Sequence, residues 1–442
     1  MVTQRIRLYD SPHQFEPLMP SEAAMRPLLE HANDMMLAAK ALGSSGLPGA
    51  HREIRALLRS MNSYYSNRLE GEHTRPSEIE NALRQDFSEK PDLARRQRLA
   101  VAHIVTEAHC EAAIDERVAA GLNVTRWLYE AEALEWLHEG LFASLGPEDR
   151  TLADGSAMTP GQLRTREVKV GLHEAPAAAS VPAFLKRWSD VYGGVRRGDA
   201  AVVAVAASHQ RLAWVHPFPD GNGRVARLHT HLLLHSMGLL GGLWSPLRGY
   251  ARSADRYKAL LQAADEPRRG DLDGRGNLTQ AGLVEWIGFT LDVCFDQVRF
   301  MGSMLDIGSM RERIAAALSF EQSVLKSGIR AEALTPLHYL FTGQAELPRA
   351  VFKQLTGLGE RVATSLLSAL LAGGYLASDT PYGAVRFAVP RHALRFYFPA
   401  LWPEAEQDEA LLASERRQTP ARAPQAGRAA ASRRKLKPRV AS

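Results

Sequence analysis

Apolar residues in this chain recur at three- and four-residue spacing far more often than they alternate. That period is helical. Ser21 stands as an N-cap before Met25, Leu28, Leu29, Ala32, Met35, Met36 and Leu37. Ile54, Leu57, Leu58, Met61 and Tyr65 mark one face of a second helix. It runs into Ser66-Asn-Arg-Leu-Glu70-Gly71, where Gly71 reads as the residue that ends it. Pro76-Ser-Glu opens another helix, and residues 92–120 and 125–145 continue as amphipathic helices split at Gly121. Residues 181–195 place Phe184, Leu185, Trp188 and Val191 inward, and 199–214 is apolar almost throughout. Pro217 and Pro219 forbid helix in the loop that follows. Helices return over 224–239, 253–264 and 279–327. Trp127, Trp136 and Trp188 fall on apolar faces and read as core.

One stretch of this first part alternates instead. Residues 161–171, bounded by Gly161 and Gly171, read as a short strand or hairpin. From Glu332 the texture changes to three short helices and two β patterns around Asp379-Thr-Pro-Tyr-Gly383, the order of a winged helix. Beyond about residue 405 the chain is rich in Ala, Arg, Pro and Gln, and disorder is expected.

Composition changes this picture little. The chain has 442 residues, 45% hydrophobic and 23% charged, enough for two or three domains and a large core. Its net charge of +5 is weighted toward residues 416–439, so the global charge is weak evidence for nucleic-acid binding. Cys110 and Cys294 lie in apolar helical patterns and read as buried free thiols in a reducing compartment. No secretory signal or membrane-length apolar run is visible, and a cytoplasmic protein with no membrane contact is expected.

The candidate chemistry lies in His216-Pro-Phe-Pro-Asp-Gly-Asn-Gly-Arg-Val-Ala-Arg227. The imidazole of His216 can take a proton near neutral pH. The carboxylate of Asp220 can hold magnesium, which prefers oxygen ligands. Gly221, Asn222 and Gly223 form a turn that directs backbone N–H groups at an anion, at the start of a helix whose macrodipole favours negative charge. Arg224 and Arg227 present forks of donors that match phosphate oxygens. His209, His229, His231 and His235 cluster nearby. A metal site is conceivable, but no Cys or Glu completes it, so these read as core or surface histidines. No Gly-Lys-Ser/Thr follows the other glycine pairs, which excludes a Walker A loop.

The motif resembles the signature of the Fic (fido) family, H-x-F-x-[DE]-G-N-G-R-x-x-R, at every defined position. Ser66-x-x-x-Glu70-Gly71 resembles the family's inhibitory motif, Gly161–Gly171 its β-hairpin flap, and Tyr257-Lys-Ala-Leu the helix that lines its adenine pocket. The resemblance implies a mainly α fold: a Fic-type helical bundle with a small β-hairpin flap, followed by a small α+β winged-helix domain. It divides the chain into an N-terminal helical region with the inhibitory helix (1–120), a Fic core (121–305), a winged-helix domain (306–405) and a basic disordered tail (406–442).

The implied activity is protein adenylyltransfer, moving AMP from ATP to a Ser, Thr or Tyr hydroxyl of a target protein, with Mg2+. His216 would be the base and Asp220 the metal ligand. Gly221, Asn222 and Gly223 would meet the α-phosphate, Arg224 the β-phosphate and Arg227 the γ-phosphate. Tyr257 would line the nucleoside pocket, and Glu70 would inhibit by pairing with Arg227. Arg252-Ser-Ala-Asp-Arg-Tyr257 departs from the family's Asn-Arg pattern and leaves the nucleobase open. The alternative readings are a DNA-binding regulator or antitoxin-like partner whose core senses nucleotide, and a Fic enzyme that removes AMP or transfers another nucleotide. Partners beyond the target are a second copy of the chain and DNA, the latter through the winged helix and basic tail. The 360–372 helix has few residues that read bases, which favours a protein-docking role.

Overall fold

Helices form in almost every stretch that carries the helical period. The computed structural model describes residues 9–44, 48–171, 173–195, 198–343 and 345–404. The disordered tail expected beyond residue 405 lies outside these residues. In order come α1 (Glu22–Gly43), α2 (Pro48–Leu69), α3 (Pro76–Leu83), α4 (Pro91–Ala119), α5 (Val124–Leu128) and α6 (Ala131–Phe142). A two-stranded antiparallel hairpin follows, β1 (Lys169–Val170) with β2 (His173–Glu174). Then come α7 (Val181–Tyr192), α8 (Asp199–Val215), α9 (Asn222–Ser236), α10 (Leu247–Arg252), α11 (Ala254–Ala263), α12 (Gln280–Met304) and α13 (Ile307–Phe320).

The centre of the molecule is α8. It is buried on nearly every side because its sequence is Ala- and Val-rich on all faces. It packs against α1, α7, α9 and α12. Helix α9 turns back along α8 and is covered by α4, α5 and α6, while α2 crosses beside it. The loop 216–221 is therefore held at one end of a rigid helix pair. Cys110 and Cys294 are buried and unpaired.

Several expectations shift in detail. Ser21 occupies the N-cap position of α1 but makes no side-chain cap; its N–H donates to the Gln280 amide at 2.8 Å. Leu37 is 57% exposed, and the buried stripe of α1 runs through Leu28, Ala32, Met35, Ala39 and Leu42. The helix expected over 125–145 is broken at Tyr129-Glu130 into α5 and α6. Trp188 is core, whereas Trp127 and Trp136 are half-buried and pack on each other at 5.3 Å. The hairpin expected over 161–171 begins only at Lys169. The cause is Arg164, whose buried guanidinium donates to the carbonyls of His216 (2.7 Å) and Pro176 (2.5 Å). Its alternating polar position thus points into the protein, and residues 161–168 are fixed as irregular chain.

The C-terminal part follows the order read from the sequence. Helices α14 (Leu334–Thr342), α15 (Arg349–Leu355) and α16 (Glu360–Ala372) precede β3 (Leu376–Ala377) and β4 (Arg386–Phe387), which pair antiparallel with Leu376 opposite Phe387. A short α17 (Leu394–Tyr397) follows. This part leans on α2 through α14 and β4. Arg386 pairs with Glu53 at 3.3 Å, and Glu404 accepts from Tyr65 and Arg68 at 3.0 and 2.8 Å.

Arg211, on α8, shows how the centre is tied down. Its fully buried guanidinium donates to the Pro17 carbonyl at 2.9 Å and to the Ala264 carbonyl at 3.2 Å. Burial lowers its pKa to about 10, so it stays charged at neutral pH. Arg211→Met leaves both carbonyls without these donors and is expected to destabilise the fold by about 3 kcal/mol, read as a lower urea midpoint at unchanged m-value.

Candidate active site

Helix α8 ends at His216, which adopts the left-handed conformation (φ 50°) as C-cap and so turns the chain sharply out of the helix. Phe218, fully buried, anchors the loop. It stacks face to face on His138, with centroids 4.1 Å apart and planes 10° apart. His138 accepts the Gly161 N–H at Nδ1 (2.8 Å), so its Nε2 carries the proton and donates to the Asp220 carbonyl (3.2 Å). Burial lowers its pKa to about 4, which keeps this neutral tautomer. Neither His138 nor Arg164 was singled out as a site residue in the sequence. Each acts through carbonyls dozens of residues away, and no local pattern marks that.

Gly221 carries the turn into α9. Its φ is +77°, and a Cβ there would lie 2.5 Å from the Phe142 ring. Among the described residues the N–H groups of Asn222, Gly223 and Arg224 have no hydrogen-bond partner. They form the anion-receptive end of the helix. The Asn222 side chain, expected as an anion donor, is committed elsewhere: its amide bridges the N–H and C=O of Phe218 at 2.9 and 2.8 Å. The Gly221 N–H donates to the Asp220 carboxylate at 2.6 Å. That carboxylate is otherwise largely open, 57% exposed, and among the described residues its one ion pair is a 3.4 Å contact to Arg224. An exposed carboxylate at the rim of an anion loop suits a magnesium ion, which keeps most of its other ligands as water and phosphate oxygen.

The two arginines differ. Arg224 is 8% exposed and lies 4.8 Å over the Phe142 ring, with Nε and Nη1 buried and unpartnered among the described residues. Orphaned guanidinium donors are costly unless an acceptor arrives. Arg227, 2% exposed, is occupied: it donates to the Ser66 hydroxyl and carbonyl, both at 3.0 Å, and to the Glu70 carboxylate at 2.6 Å. Burial pushes the Glu70 carboxyl up, but Arg227 and Arg224 more than offset this and hold it below the usual range. A Cβ at residue 223 would collide with the Glu70 carboxylate, so that group lies directly against the first turn of α9.

A cavity of about 450 Å³ opens here, lined by Glu70, His216, Gly223, Arg227, Tyr257 and Lys258 among others. Burial, reinforced by His173, lowers the His216 pKa to about 4. Tyr257 is buried beneath Arg227, and its hydroxyl reaches His209 Nε2 at 2.9 Å. His209 in turn meets Thr230 at 2.7 Å. Lys258 was not singled out from the sequence; its place one residue after Tyr257 puts a further cation near Glu70.

The remaining histidines bear out a core reading, with one correction. His229 meets the Leu128 carbonyl at 2.7 Å and His235 meets Asp115 at 2.7 Å. His231, however, does meet glutamates: Glu107 and Glu111 of α4 lie with it within 4.8 Å. They are far off in sequence, which is why the local reading found none. Two guanidinium groups, Arg55 and Arg59, already occupy Glu111, and their charge opposes a dication there.

Residues 127–234 match the Fic/DOC family profile. Relatives include the protein adenylyltransferase Fic of Drosophila willistoni, 29% identical over 118 residues, 26% of this chain and 23% of that protein. That of Drosophila grimshawi is 31% identical over 147 residues, 33% of this chain and 29% of that protein. The chain thus spans less than a third of the length of these curated relatives. A Fic family protein from Desulfovibrio desulfuricans G20 is similar over 84% of this chain and 98% of that one, at 18% identity and a TM-score of 0.47. Among the described residues no helix is long and apolar enough to cross a membrane. The signature loop, the helix pair that presents it and the matched span agree: the chain carries a Fic/DOC family domain over residues 127–234.

Proposed function

We propose that this chain is a protein adenylyltransferase that moves AMP from ATP to a hydroxyl side chain of a target protein and is held back by Glu70. One observation carries the reading: His216 and Arg227 line a single cavity with the N-terminus of α9, and the Glu70 carboxylate lies 2.6 Å from Arg227. A carboxylate at that point stands where a phosphate oxygen would otherwise meet the guanidinium. The adenylyltransferase names of the relatives point the same way.

In the proposed reaction the acceptor oxygen attacks the α-phosphorus and its proton passes to His216. The bond to the bridging oxygen breaks, and pyrophosphate leaves. The neutral imidazole needs no prior deprotonation at physiological pH, because burial keeps its pKa near 4. The N–H groups of Asn222 and Gly223 receive the charge that grows on the α-phosphate oxygens, while Arg224 and Arg227 hold the leaving phosphates. Tyr257 forms a wall for the nucleoside. Asp220 would hold a magnesium ion, which supplies charge neutralisation at the phosphates when bound. The 169–174 hairpin offers a backbone edge for an extended target segment. Residues 334–404 would serve as a winged-helix docking unit, since α16 exposes Glu360, Arg361, Thr364, Ser365 and Ser368 and so offers one basic side chain.

Two measurements test this. With labelled ATP and magnesium, Glu70→Gly is expected to raise protein labelling by about ten- to a hundredfold, the worth of one charge-assisted contact. His216→Ala in that background is expected to lower it by about 10²- to 10⁴-fold. Equal labelling by wild type and Glu70→Gly, seen by mass spectrometry, rejects the inhibitory role. The pH profile gives the second test. Because His216 has a depressed pKa, kcat/KM of Glu70→Gly should hold level from neutral pH down to about 5 and fall only near pH 4. A fall centred near 6.5 would mean a base in an ordinary, hydrated setting.

A further inference from the structure

Glu70 hangs from the end of α2, so its reach to Arg227 depends on where α2 sits. One side of α2 is unusually polar for a buried face. Arg55, Arg59, Asn62 and Ser66 recur at four-, three- and four-residue intervals, and the next step of four is Glu70. All of them point at α4 or α9. On α4, one Glu111 oxygen accepts from Arg55 Nε at 2.9 Å and from Arg59 Nε and Nη2 at 2.9 and 2.5 Å. The other Glu111 oxygen meets His231 Nε2 of α9 at 2.9 Å. Glu107, one turn before Glu111, accepts from the Asn62 amide at 2.8 Å and lies 3.7 Å from His231. Both glutamates are almost fully buried. Ser66 completes the row by accepting from Arg227 at 3.0 Å.

Apolar side chains would let a helix slide or roll at modest cost. Directional, buried hydrogen bonds do not, because each donor displaced by a turn leaves a charge or dipole unpaired. We infer that this array is a latch: Glu111 and His231 act as positioning residues, fixing the register of α2 and thereby the placement of Glu70 against Arg227. The inference rests on Glu70 being the inhibitor, and it adds that the strength of inhibition is set two to four turns away, by groups that touch neither the cavity nor each other's local sequence. The three helices are joined only in the fold: α2 supplies the guanidiniums, α4 the carboxylates and α9 the imidazole. Helix α9 also carries Arg227, one turn before His231 on the same helix. Any movement of α2 relative to the array is therefore felt at both ends of the Glu70–Arg227 pair.

The test uses the full chain and two readouts. Glu111→Gln keeps the shape of the side chain and removes its charge; Arg59→Lys keeps a charge on α2 and removes the fork. In both, amide hydrogen exchange over residues 62–72 is expected to run about tenfold faster than in wild type while exchange in α8 and α12 is unchanged. Labelling by ATP is expected to rise toward that of Glu70→Gly. In the Glu70→Gly background the same substitutions should add less than about twofold, because the contact they loosen is already gone. General destabilisation would instead lower labelling in both backgrounds. Unchanged exchange over 62–72 in the folded variants overturns the latch. So does faster exchange with labelling still at the wild-type level while Glu70→Gly is active. If Glu70→Gly itself is no more active than wild type, the proposed function falls, and the exchange data still decide whether the array holds α2.

Discussion

The guanidinium of Arg227 is the constraint around which the site is arranged. A charge buried to 2% of its side-chain surface has to be matched, or the fold pays a heavy desolvation cost. Here it is matched from three directions. Helix α2 gives the Ser66 hydroxyl and carbonyl, the turn after α2 gives Glu70, and α11 gives the Tyr257 hydroxyl. One side chain thereby ties the end of α2 and the start of α11 to the second turn of α9. Without Glu70, Arg227 would still keep the two Ser66 acceptors.

The first two turns of α9 carry two kinds of donor, and they are in different states. The N–H groups of Asn222, Gly223 and Arg224, with the orphaned Nε and Nη1 of Arg224, have no protein acceptor among the described residues. Arg227 is already occupied, by Ser66 of α2 and by the Glu70 carboxylate in the turn that follows it. A carboxylate and a phosphate compete for the same fork of donors, because both offer planar pairs of charged oxygens. The Glu70 carboxylate thus takes up donors of Arg227, while those of the first turn of α9 are left open among the described residues.

Two histidines show how burial sets chemistry. His138 and His216 both have pKa values lowered to about 4, mainly by desolvation, and both stay neutral at physiological pH. One is locked between Gly161 and Asp220 as a prop for the loop, while the other lines the cavity. The same shift serves structure in the first and leaves a proton acceptor in the second.

Local order and the loop at 216–227 were legible in the sequence. Helical periodicity marked most of the helices, because a buried stripe repeats within one or two turns. The 216–227 segment was legible because its proline, glycine and charged residues act on neighbours a few positions away. The pairing of Glu70 with Arg227 could be expected only through resemblance, since 157 residues separate them. Tertiary structure alone decided the rest. It turned Arg164 inward and so pushed the hairpin to Lys169; it set His138 under Phe218; it committed the Asn222 amide to the loop itself. It also brought Glu107 and Glu111 to His231, where the sequence near the histidines shows no carboxylate. The physical reason is common to all of these. A buried polar group takes its partner from whichever segment packs against it, and packing is a property of the assembled helices rather than of any one stretch.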